Sequence, residues 1–477
     1  MEEIKNFNLI DINVDSSAVN TKNIIDILER ELFDKSLIKS KIDRDIFSKV
    51  NVVGFDIDHT LVLYNMDALT ELMYNSFAKF LVEHKNYPKE ILIYPIEETK
   101  VDSDCNINER EKNRKFNLDF VHRFSSIEII LDIKNGNAIK IDENRIVQKA
   151  FHGIDELSRE QIEKIYGVER EFLEFNMDSA KSRNHHSILS NFEYHVIPIF
   201  LICVHLYEIG SFKLEDSEPF KKIFSDILEA FLFNYSLYNA EEKRILKMSE
   251  SKGYFFPELD KNLKKYLVDY SAKELLMHLR SKGVQIFFST NSYYEHADVI
   301  LRETIGEDYL SYFDLAVYDS QKPSFFYKDS VSPAYFPDFS VPDHKGQIVT
   351  SDSLKDEAIY KRLKSEKTLI GGSYKIVEEF FLKKTQKDDL KYIFVGDNLL
   401  ADIYHTSYLA NWSSIGILDE IKTGFLGNIP EEFKQFWNSE SLGLDLDQPK
   451  SNSFFTKVSR EKNLFAVSNV DILKHLN

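Results

Sequence analysis

The spacing of apolar residues predicts the first elements of the chain. In residues 22–48 the apolar positions recur at helical spacing, which predicts one or two helices. The run "NVVGF", residues 51–55, predicts a short buried strand that ends at Asp56 and Asp58. Residues 67–85 predict an amphipathic helix with Asp67 as its N-cap. An unpaired buried charge is costly, so two carboxylates at the end of an apolar strand call for a functional explanation.

The pattern changes between residues 90 and 265. Residues 126–147 alternate apolar and polar positions around Asn135-Gly136, which is a strong signal for a β-hairpin. Longer helical patterns follow, for example over residues 218–238. This part of the chain is therefore predicted to be mixed and mainly helical.

Strand-like and helical patterns alternate in the C-terminal half. Three strand-like runs each end at polar residues: "VQIFFSTNS" (284–292), "DLAVYDSQKP" (314–323) and "KYIFVGDNLLAD" (391–402). Helical patterns lie at "YSAKELLMHLRSKG" (270–283) and "SYKIVEEFFLKKT" (373–385). Strands that alternate with helices predict a parallel sheet with helices on both faces.

These patterns together predict an α/β fold. We expect a Rossmann-like core with a parallel sheet, formed by residues 1–89 and 266–477, and an inserted, mainly helical cap over residues 90–265. In such sheets the active site lies at the carboxyl ends of the strands. All four polar clusters of this chain, including the pair Asp56 and Asp58, fall at predicted strand ends.

Composition and charge limit the partners of the protein. The 477 residues carry a net charge of −18, which argues against a nucleic-acid or anionic-membrane surface. Cys105 and Cys203 give neither a disulfide framework nor a metal cluster. The N-terminus lacks the pattern of a secretory signal, and the most apolar stretch, residues 196–207, is too short to span a bilayer. We therefore expect a cytoplasmic protein.

Asp56 and Asp58 have the residue types of a covalent phosphatase. One carboxylate can attack phosphorus and form an aspartyl-phosphate, which divides one hard displacement into two easier ones. A second carboxyl group can protonate the leaving oxygen and then accept a proton from the attacking water. The two groups must differ in pKa, and a divalent cation bound to the first would favour that difference.

The other strand ends supply what this chemistry needs. Asp56 and Asp397 are candidate carboxylate ligands of Mg²⁺, with the backbone carbonyl of Asp58 as a further oxygen ligand, and Gly396 allows a close approach of the backbone. Thr290 and Asn291 are suited to a phosphate oxygen, and Lys322 is a compact positive charge for the phosphoryl group.

Each motif is weak by itself. Paired surface acids are common in a chain with 78 acidic residues, and a lysine before a proline also fits an exposed loop. Together, and in this order along the chain, the motifs are specific. They are DxDxT, Thr290, Lys322 and the motif GDxxxxD that ends at Asp402. This order resembles the haloacid dehalogenase superfamily of phosphatases.

Longer stretches resemble the cytosolic purine 5′-nucleotidase family. They are "VVGFDIDHTLVLYN", "STNS", "QKPSFF" and "VGDNLLADI". The resemblance implies magnesium-dependent hydrolysis of nucleoside monophosphates by a haloacid dehalogenase-like core with an inserted cap. It implies Asp56 as nucleophile and Asp58 as proton donor, with Thr290 and Lys322 holding the phosphate. It gives Asp402 a supporting role, orienting Lys322 or a metal-bound water.

One stretch departs from this family pattern. Relatives carry an arginine, an aspartate and a histidine on a cap helix that engages the nucleotide, where this chain has Leu228, Leu232 and Tyr235. The identity of the phosphorylated small-molecule substrate is therefore left open. The sequence also leaves open whether the protein forms a homo-oligomer. Two alternatives also stay open: a phosphoprotein phosphatase, and a scaffold or regulatory protein that keeps the fold with weak catalysis.

Overall fold

Sixteen strands and ten α-helices lie in the part of the chain that the computed structural model describes. That part comprises residues 46–93, 120–121, 124, 129–173, 182, 184–327, 332–417, 465–467 and 470–475. The strands are β1 (Val52–Phe55), β2 (Ile130–Asp132), β3 (Asn137–Ile141), β4 (Val147–His152), β5 (Asp155–Glu156), β6 (His185–Ser187), β7 (Tyr238–Asn239), β8 (Arg244–Ile245), β9 (Gln285–Ser289), β10 (Leu315–Tyr318), β11 (Ala334–Pro337), β12 (Lys345–Val349), β13 (Thr368–Gly371), β14 (Tyr392–Gly396), β15 (Ser413–Ile417) and β16 (Phe465–Val467). The helices are α1 (Met66–Lys85), α2 (Arg159–Tyr166), α3 (Val196–Glu208), α4 (Pro219–Tyr235), α5 (Phe255–Lys261), α6 (Leu263–Tyr266), α7 (Lys273–Ser281), α8 (Tyr294–Thr304), α9 (Glu357–Glu366) and α10 (Tyr374–Thr385).

The larger sheet is mixed. Over the described residues its strand order is β12-β11-β13-β10-β9-β1-β14-β15-β16. The strands from β13 to β16 in this order run parallel, and β11 and β12 are antiparallel at one edge. The chain therefore has the predicted α/β architecture, with an antiparallel edge that the sequence pattern did not indicate.

Strand β1 lies at the centre of this sheet, between β9 and β14. All four of its residues are buried, as expected for a strand covered on both faces. A Cβ atom on Gly54 would lie 2.3 Å from the ring of Phe287 and 2.7 Å from that of Phe394. These two rings, from the neighbouring strands, fill the space above Gly54, so a larger residue there would displace the centre of the sheet.

Helix α1 confirms the predicted helix but begins one residue earlier. Its N-cap is Asn65, whose side chain accepts a hydrogen bond from the Ala68 N–H, and Asp67 lies in the first turn. The assignment of Asp67 as the cap was therefore wrong, because either residue type satisfies the capping pattern. Asn86 ends the helix in the left-handed conformation.

A second, antiparallel sheet has the order β5-β4-β3-β2-β6. Its β2–β3 hairpin turns at Gly136, where φ is +71°, so the predicted hairpin around Asn135-Gly136 is confirmed. Ile130, Ile139 and Val147 of this sheet form one hydrophobic cluster with Leu399 and Ile403, which follow β14. The second sheet therefore packs against the segment that leaves the central strands of the first.

The predicted elements of the C-terminal half are observed with shorter bounds. Helices α7 and α10 and strands β9, β10 and β14 lie within the predicted stretches. Strand β10 stops at Tyr318 because Asp319 and Gln321 have positive φ angles, which no strand accommodates. The segment after β14 turns into π-helix over Leu399–Tyr404.

Several sequence predictions lie outside the described residues. They are the helices before residue 46 and the assignment of Cys105. None of the helices in the described segments is long and apolar enough to cross a bilayer.

Candidate active site

The carboxyl ends of four neighbouring strands meet at one cavity of about 120 Å³. Asp56 follows β1, Thr290 follows β9, and Asp397 follows β14. Lys322 lies in the loop after β10. All four line the cavity, together with Asp58, Asn291 and Asp402. The parallel sheet thus brings every predicted site residue to the same edge.

Lys322 is the buried cation of this cavity. Its ammonium nitrogen lies 2.6 Å from Oδ1 of Asp402 and 3.0 Å from Oδ1 of Asp56, and its side chain is 2% exposed. Burial lowers the pKa of Lys322, but the carboxylates of Asp402 and Asp56 outweigh burial and the net pKa is raised. Lys322 therefore stays charged at neutral pH beside the candidate nucleophile.

Asn291 fixes the backbone of Lys322. Its side-chain Oδ1 accepts a hydrogen bond from the Lys322 N–H across 2.5 Å, and its Nδ2 donates to the Lys322 carbonyl across 2.9 Å. The same Oδ1 accepts from the Ser320 hydroxyl. The side-chain amide of Asn291, which was predicted to bind phosphate, is thus hydrogen-bonded to the backbone of Lys322. These hydrogen bonds connect the end of β9 to the loop after β10.

Gly396 makes room for the carboxylate of Asp402. A Cβ atom on Gly396 would lie 2.4 Å from Oδ2 of Asp402, which is far inside van der Waals contact. The backbone N–H of Asn398 donates to that same oxygen across 3.1 Å. The π-helical segment therefore folds back over Gly396, so that the other carboxylate oxygen reaches Lys322.

Asp56, Asp397 and Asp402 form a cluster suited to a metal ion. One carboxylate oxygen from each lies within 4.8 Å of the others. Burial raises the pKa of Asp56 to about 7, with Asp402 and Asp58 adding to the rise and Lys322 opposing it. Burial holds the pKa of Asp397 well above its usual value, and the negative charges of Asp56 and Asp402 add to this rise. Three carboxylates facing one ammonium leave excess negative charge, so the oxygen donors fit a hard divalent cation such as Mg²⁺.

Asp58 is held by two hydroxyl groups that sequence reasoning did not identify. The Tyr64 hydroxyl donates to Oδ1 across 2.6 Å, and the Ser292 hydroxyl donates to Oδ2 across 2.6 Å. Nδ1 of His296 lies 3.3 Å from the Ser292 oxygen. Ser292 belongs to the "STNS" stretch and Tyr64 to "GFDIDHTLVLYN", so the motifs contained both residues without indicating their role.

Two residues from the predicted cap also line the cavity. They are Ser190 and Phe192, which line it together with the residues at the strand ends. The ring of His59 contacts those of Tyr64 and Phe192, at centroid distances of 4.8 and 4.7 Å. Burial lowers the pKa of His59 to about 4, with Asp58 opposing the shift, so the imidazole is neutral at pH 7. No sequence motif connects Ser190 or Phe192 to the strand ends.

Comparison with protein families identifies the group to which this geometry belongs. The family model described as "5' nucleotidase family" matches residues 46–100 and 111–438, which include every predicted site residue. The chain belongs to the 5′-nucleotidase family. The predictions of this family and of a 5′-nucleotidase-type phosphatase are therefore confirmed.

Relatives within the 5′-nucleotidase family have low sequence identity to this chain, but the matches cover most of its length. The chain is 27% identical to 5′-nucleotidase domain-containing protein 1 of Bos taurus over 412 residues, covering 85% of this chain and 81% of the relative. The human protein of the same name is 26% identical, with the same coverage of both chains. Human 5′-nucleotidase domain-containing protein 2 is 24% identical, and the match covers 78% of this chain and 61% of the human protein. Four further stretches, "YNSFAKFLV", "NGNAIKI", "FHG" and "YFFPEL", resemble the branch called 5′-nucleotidase domain-containing protein 1, and these matches agree with that resemblance.

Helix α4 carries Leu228, Leu232 and Tyr235, the three residues that the sequence resemblance places where polar nucleotide contacts are expected. Leu228 is 44% exposed and Leu232 is 69% exposed. Tyr235 is directed inward, and its hydroxyl donates to the Phe192 carbonyl across 3.2 Å. Asp226 is buried and bonded to Lys222 and Tyr87. Of the three residues, the helix therefore exposes two leucine side chains, and the tyrosine hydroxyl is engaged by the backbone of Phe192.

Proposed function

We propose that the protein is a magnesium-dependent phosphomonoester hydrolase that acts on nucleoside 5′-monophosphates through an aspartyl-phosphate on Asp56. The observation that carries this proposal is the meeting of Asp56, Asp58, Lys322 and Asp397 in one cavity at the ends of adjacent parallel strands. A nucleophile, a second carboxyl group, a buried cation and an acidic metal cluster are together what covalent phosphoryl transfer needs.

In the first step a carboxylate oxygen of Asp56 attacks phosphorus. The new bond joins that oxygen to phosphorus, the bond from phosphorus to the ester oxygen breaks, and Asp58 gives its proton to the leaving oxygen. Lys322 and Thr290, with the backbone of Asn291, hold the phosphoryl oxygens. The ion pair of Lys322 with Asp56 supports this arrangement, because it places positive charge beside the attacking group.

In the second step water attacks the phosphorus of the aspartyl-phosphate. Asp58 accepts a proton from this water, the bond from phosphorus to Asp56 breaks, and inorganic phosphate leaves. Ser292 suits both protonation states of Asp58, because a hydroxyl group accepts as well as donates hydrogen bonds. When Asp58 is protonated, Ser292 accepts from it and can donate its own proton to Nδ1 of His296.

Magnesium completes this site. Asp56, Asp397 and the backbone carbonyl of Asp58 would hold the ion, and Asp402 would support the site by holding Lys322. A bound Mg²⁺ supplies positive charge that neutralises the phosphoryl oxygens and keeps Asp56 ionised.

The architecture favours a small substrate. We propose a haloacid dehalogenase-like core of residues 1–89 and 266–477 with a cap of residues 90–265, in a cytoplasmic protein. The presence of Ser190 and Phe192 in the lining of the cavity supports a site closed by the cap. A phosphoprotein phosphatase needs a site open to a peptide, so this alternative is less favoured.

Replacement of the nucleophile tests the proposal. Asp56→Asn should lower magnesium-dependent hydrolysis of a nucleoside monophosphate by about 10³-fold or more, because an amide does not attack phosphorus. The matched control is Asp67→Asn, on the exposed face of α1, which should keep wild-type turnover. The assignment of Asp56 fails if the Asp56→Asn enzyme keeps a comparable rate. A wild-type protein without turnover on a phosphomonoester panel would instead favour the scaffold alternative.

A further inference from the structure

A buried histidine, His296, lies in the first turn of helix α8, next to the active site. Its side chain is 3% exposed and does not line the active-site cavity, whereas Ser292 and Asp58 both do. Nδ1 of His296 lies 3.3 Å from the Ser292 hydroxyl oxygen, which lies 2.6 Å from Oδ2 of Asp58. The imidazole therefore reaches Asp58 through the Ser292 hydroxyl.

The backbone of Ser292 is held on both sides. Its N–H donates to the Thr290 hydroxyl across 3.1 Å, and its carbonyl accepts from the Asp319 N–H across 3.0 Å. With the backbone fixed, the hydroxyl group can still redirect its proton by rotating about the bond from Cβ to oxygen. Oδ2 of Asp58 and Nδ1 of His296 both lie within reach of this one proton.

The two distances indicate which of these acceptors holds the proton. The 2.6 Å contact with Asp58 is short, as expected for a hydroxyl that donates to a carboxylate. The 3.3 Å contact with His296 is longer than the roughly 2.9–3.0 Å of a typical N–H···O bond, so it fits a ring nitrogen without a proton. Burial lowers the pKa of His296, with Asp58 opposing the shift, so the imidazole is neutral at pH 7. Its single N–H is then at Nε2, which no described residue bonds.

Asp58 changes its protonation state twice in the proposed reaction. While ionised, Asp58 accepts from both Tyr64 and Ser292. A protonated Asp58 is a weaker acceptor, so the Ser292 proton then needs another partner, because an unsatisfied buried donor is costly. Nδ1 of His296 is an acceptor at the other side of the same hydroxyl. Without it the hydroxyl would stay directed at Asp58 and favour the ionised form, which cannot protonate the leaving oxygen.

We propose that His296 is a positioning residue that gives the Ser292 hydroxyl a second acceptor. The hydroxyl turns to His296 when Asp58 gains a proton and returns to Asp58 when that proton is lost. This role rests on the proposed function, because an Asp58 that stayed ionised would need no such partner. It involves no contact between His296 and the substrate.

Two variants of His296 separate its acceptor from its bulk. Nδ1 of histidine, Oδ1 of asparagine and a methyl group of leucine are all bonded to Cγ, so each takes the same place. His296→Leu should lower kcat for a nucleoside monophosphate about tenfold or more and change KM less than about twofold, because the loss concerns proton transfer at Asp58. His296→Asn restores an acceptor and should lose less than about threefold. Equal losses in the two variants would overturn the proposal.

The Ser292→Ala background shows whether His296 acts through Ser292. In this background His296→Leu should lower kcat by less than about twofold, because the hydroxyl group that it serves is absent. An undiminished effect would refute the role, since general damage to the fold lowers the rate in both backgrounds. Turnover unaffected by His296→Leu would refute the role alone. A wild-type protein without turnover would refute the proposed function as well.

The tautomer of His296 can be measured without turnover. Two-bond proton–nitrogen NMR spectra of protein labelled with ¹⁵N-histidine distinguish an N–H at Nδ1 from one at Nε2. The His296 signals are those missing from the spectrum of the His296→Asn variant. We expect the neutral form with its proton at Nε2 at neutral pH. A proton at Nδ1 would overturn the proposal, because that nitrogen could not accept from Ser292.

Discussion

The Tyr64 hydroxyl donates a hydrogen bond to Oδ1 of Asp58 across 2.6 Å, and both side chains are buried. Burial, followed by the charge of Asp58, raises the pKa of Tyr64 well above its usual value, so the phenol stays protonated. Tyr64 therefore serves as a fixed donor that orients the carboxyl group proposed to transfer protons to the leaving oxygen.

Tyr64→Phe should lower activity most for substrates with poor leaving groups. A nucleoside leaves as an alkoxide and needs a proton from Asp58, so its kcat/KM should fall about tenfold or more. p-Nitrophenol leaves without much protonation, and hydrolysis of its phosphate should fall less than about threefold. Tyr74→Phe is the matched control, since Tyr74 is also buried but its hydroxyl donates to the carbonyl of Ile91, and neither of these residues lines the cavity. Equal losses for the two substrates would contradict an orienting role for Tyr64.

Asp397 and Asp402 should differ in their effect on magnesium. Removal of the metal with a chelator should abolish turnover, and Asp397→Asn should raise the Mg²⁺ concentration for half-maximal activity by about 100-fold or more. Asp402→Asn should lower the rate with a much smaller shift in that concentration, because Asp402 acts through Lys322. The increase in melting temperature on Mg²⁺ addition should be lost in the first variant and kept in the second. Equal shifts would make Asp402 a ligand as well.

His195 should make stability fall in mild acid. Burial lowers the pKa of His195 to about 3, with Glu193 opposing the shift, and no described residue bonds either ring nitrogen. The unfolded chain takes up a proton near its ordinary pKa of about 6.5, so the unfolded state is favoured as pH falls from about 6.5 towards 3. At pH 5.5 the loss is about 1.4 kcal/mol relative to pH 7.5.

The His195→Phe variant isolates this contribution. Phenylalanine does not titrate and keeps an aromatic ring beside Phe77, whose centroid lies 4.0 Å from that of His195. Urea unfolding of both proteins at pH 7.5 and 5.5 should show that the wild type loses about 1.4 kcal/mol more than the variant between these values. The interpretation is wrong if the difference between the two proteins is independent of pH.

The order of the motifs predicted the site because a parallel sheet has one functional edge. Asp56, Thr290, Lys322 and Asp397 each follow a strand, and the ends of parallel strands lie side by side whatever the length of chain between them. A run of apolar residues followed by a polar residue was therefore enough to place four residues that are far apart in sequence.

Side-chain direction and contacts from distant segments could not be predicted in this way. Tyr64 and Ser292 are directed at Asp58 by turns whose geometry no periodicity encodes. Phe192 reaches the cavity from a separate part of the chain. The π-helix after β14 depends on the space above Gly396 that Asp402 occupies, which is a tertiary contact and leaves no pattern in the sequence.

Substrate choice is the final test, and it depends on helix α4. Its residues 226–235 offer the exposed side chains of Leu228 and Leu232, and Tyr235 already donates to Phe192. Apolar surfaces separate similar ligands by only about 1–3 kcal/mol, whereas a lost polar contact costs far more. We therefore expect kcat/KM values for the 5′-monophosphates of adenosine, guanosine, inosine, cytidine and uridine to lie within about 100-fold of each other, or a preferred substrate that is not a nucleotide. The measurement is a steady-state panel with Mg²⁺ that also includes sugar phosphates. A preference of about 1,000-fold for one purine monophosphate would mean that polar groups outside residues 226–235 recognise the base, and our interpretation of α4 would then be wrong.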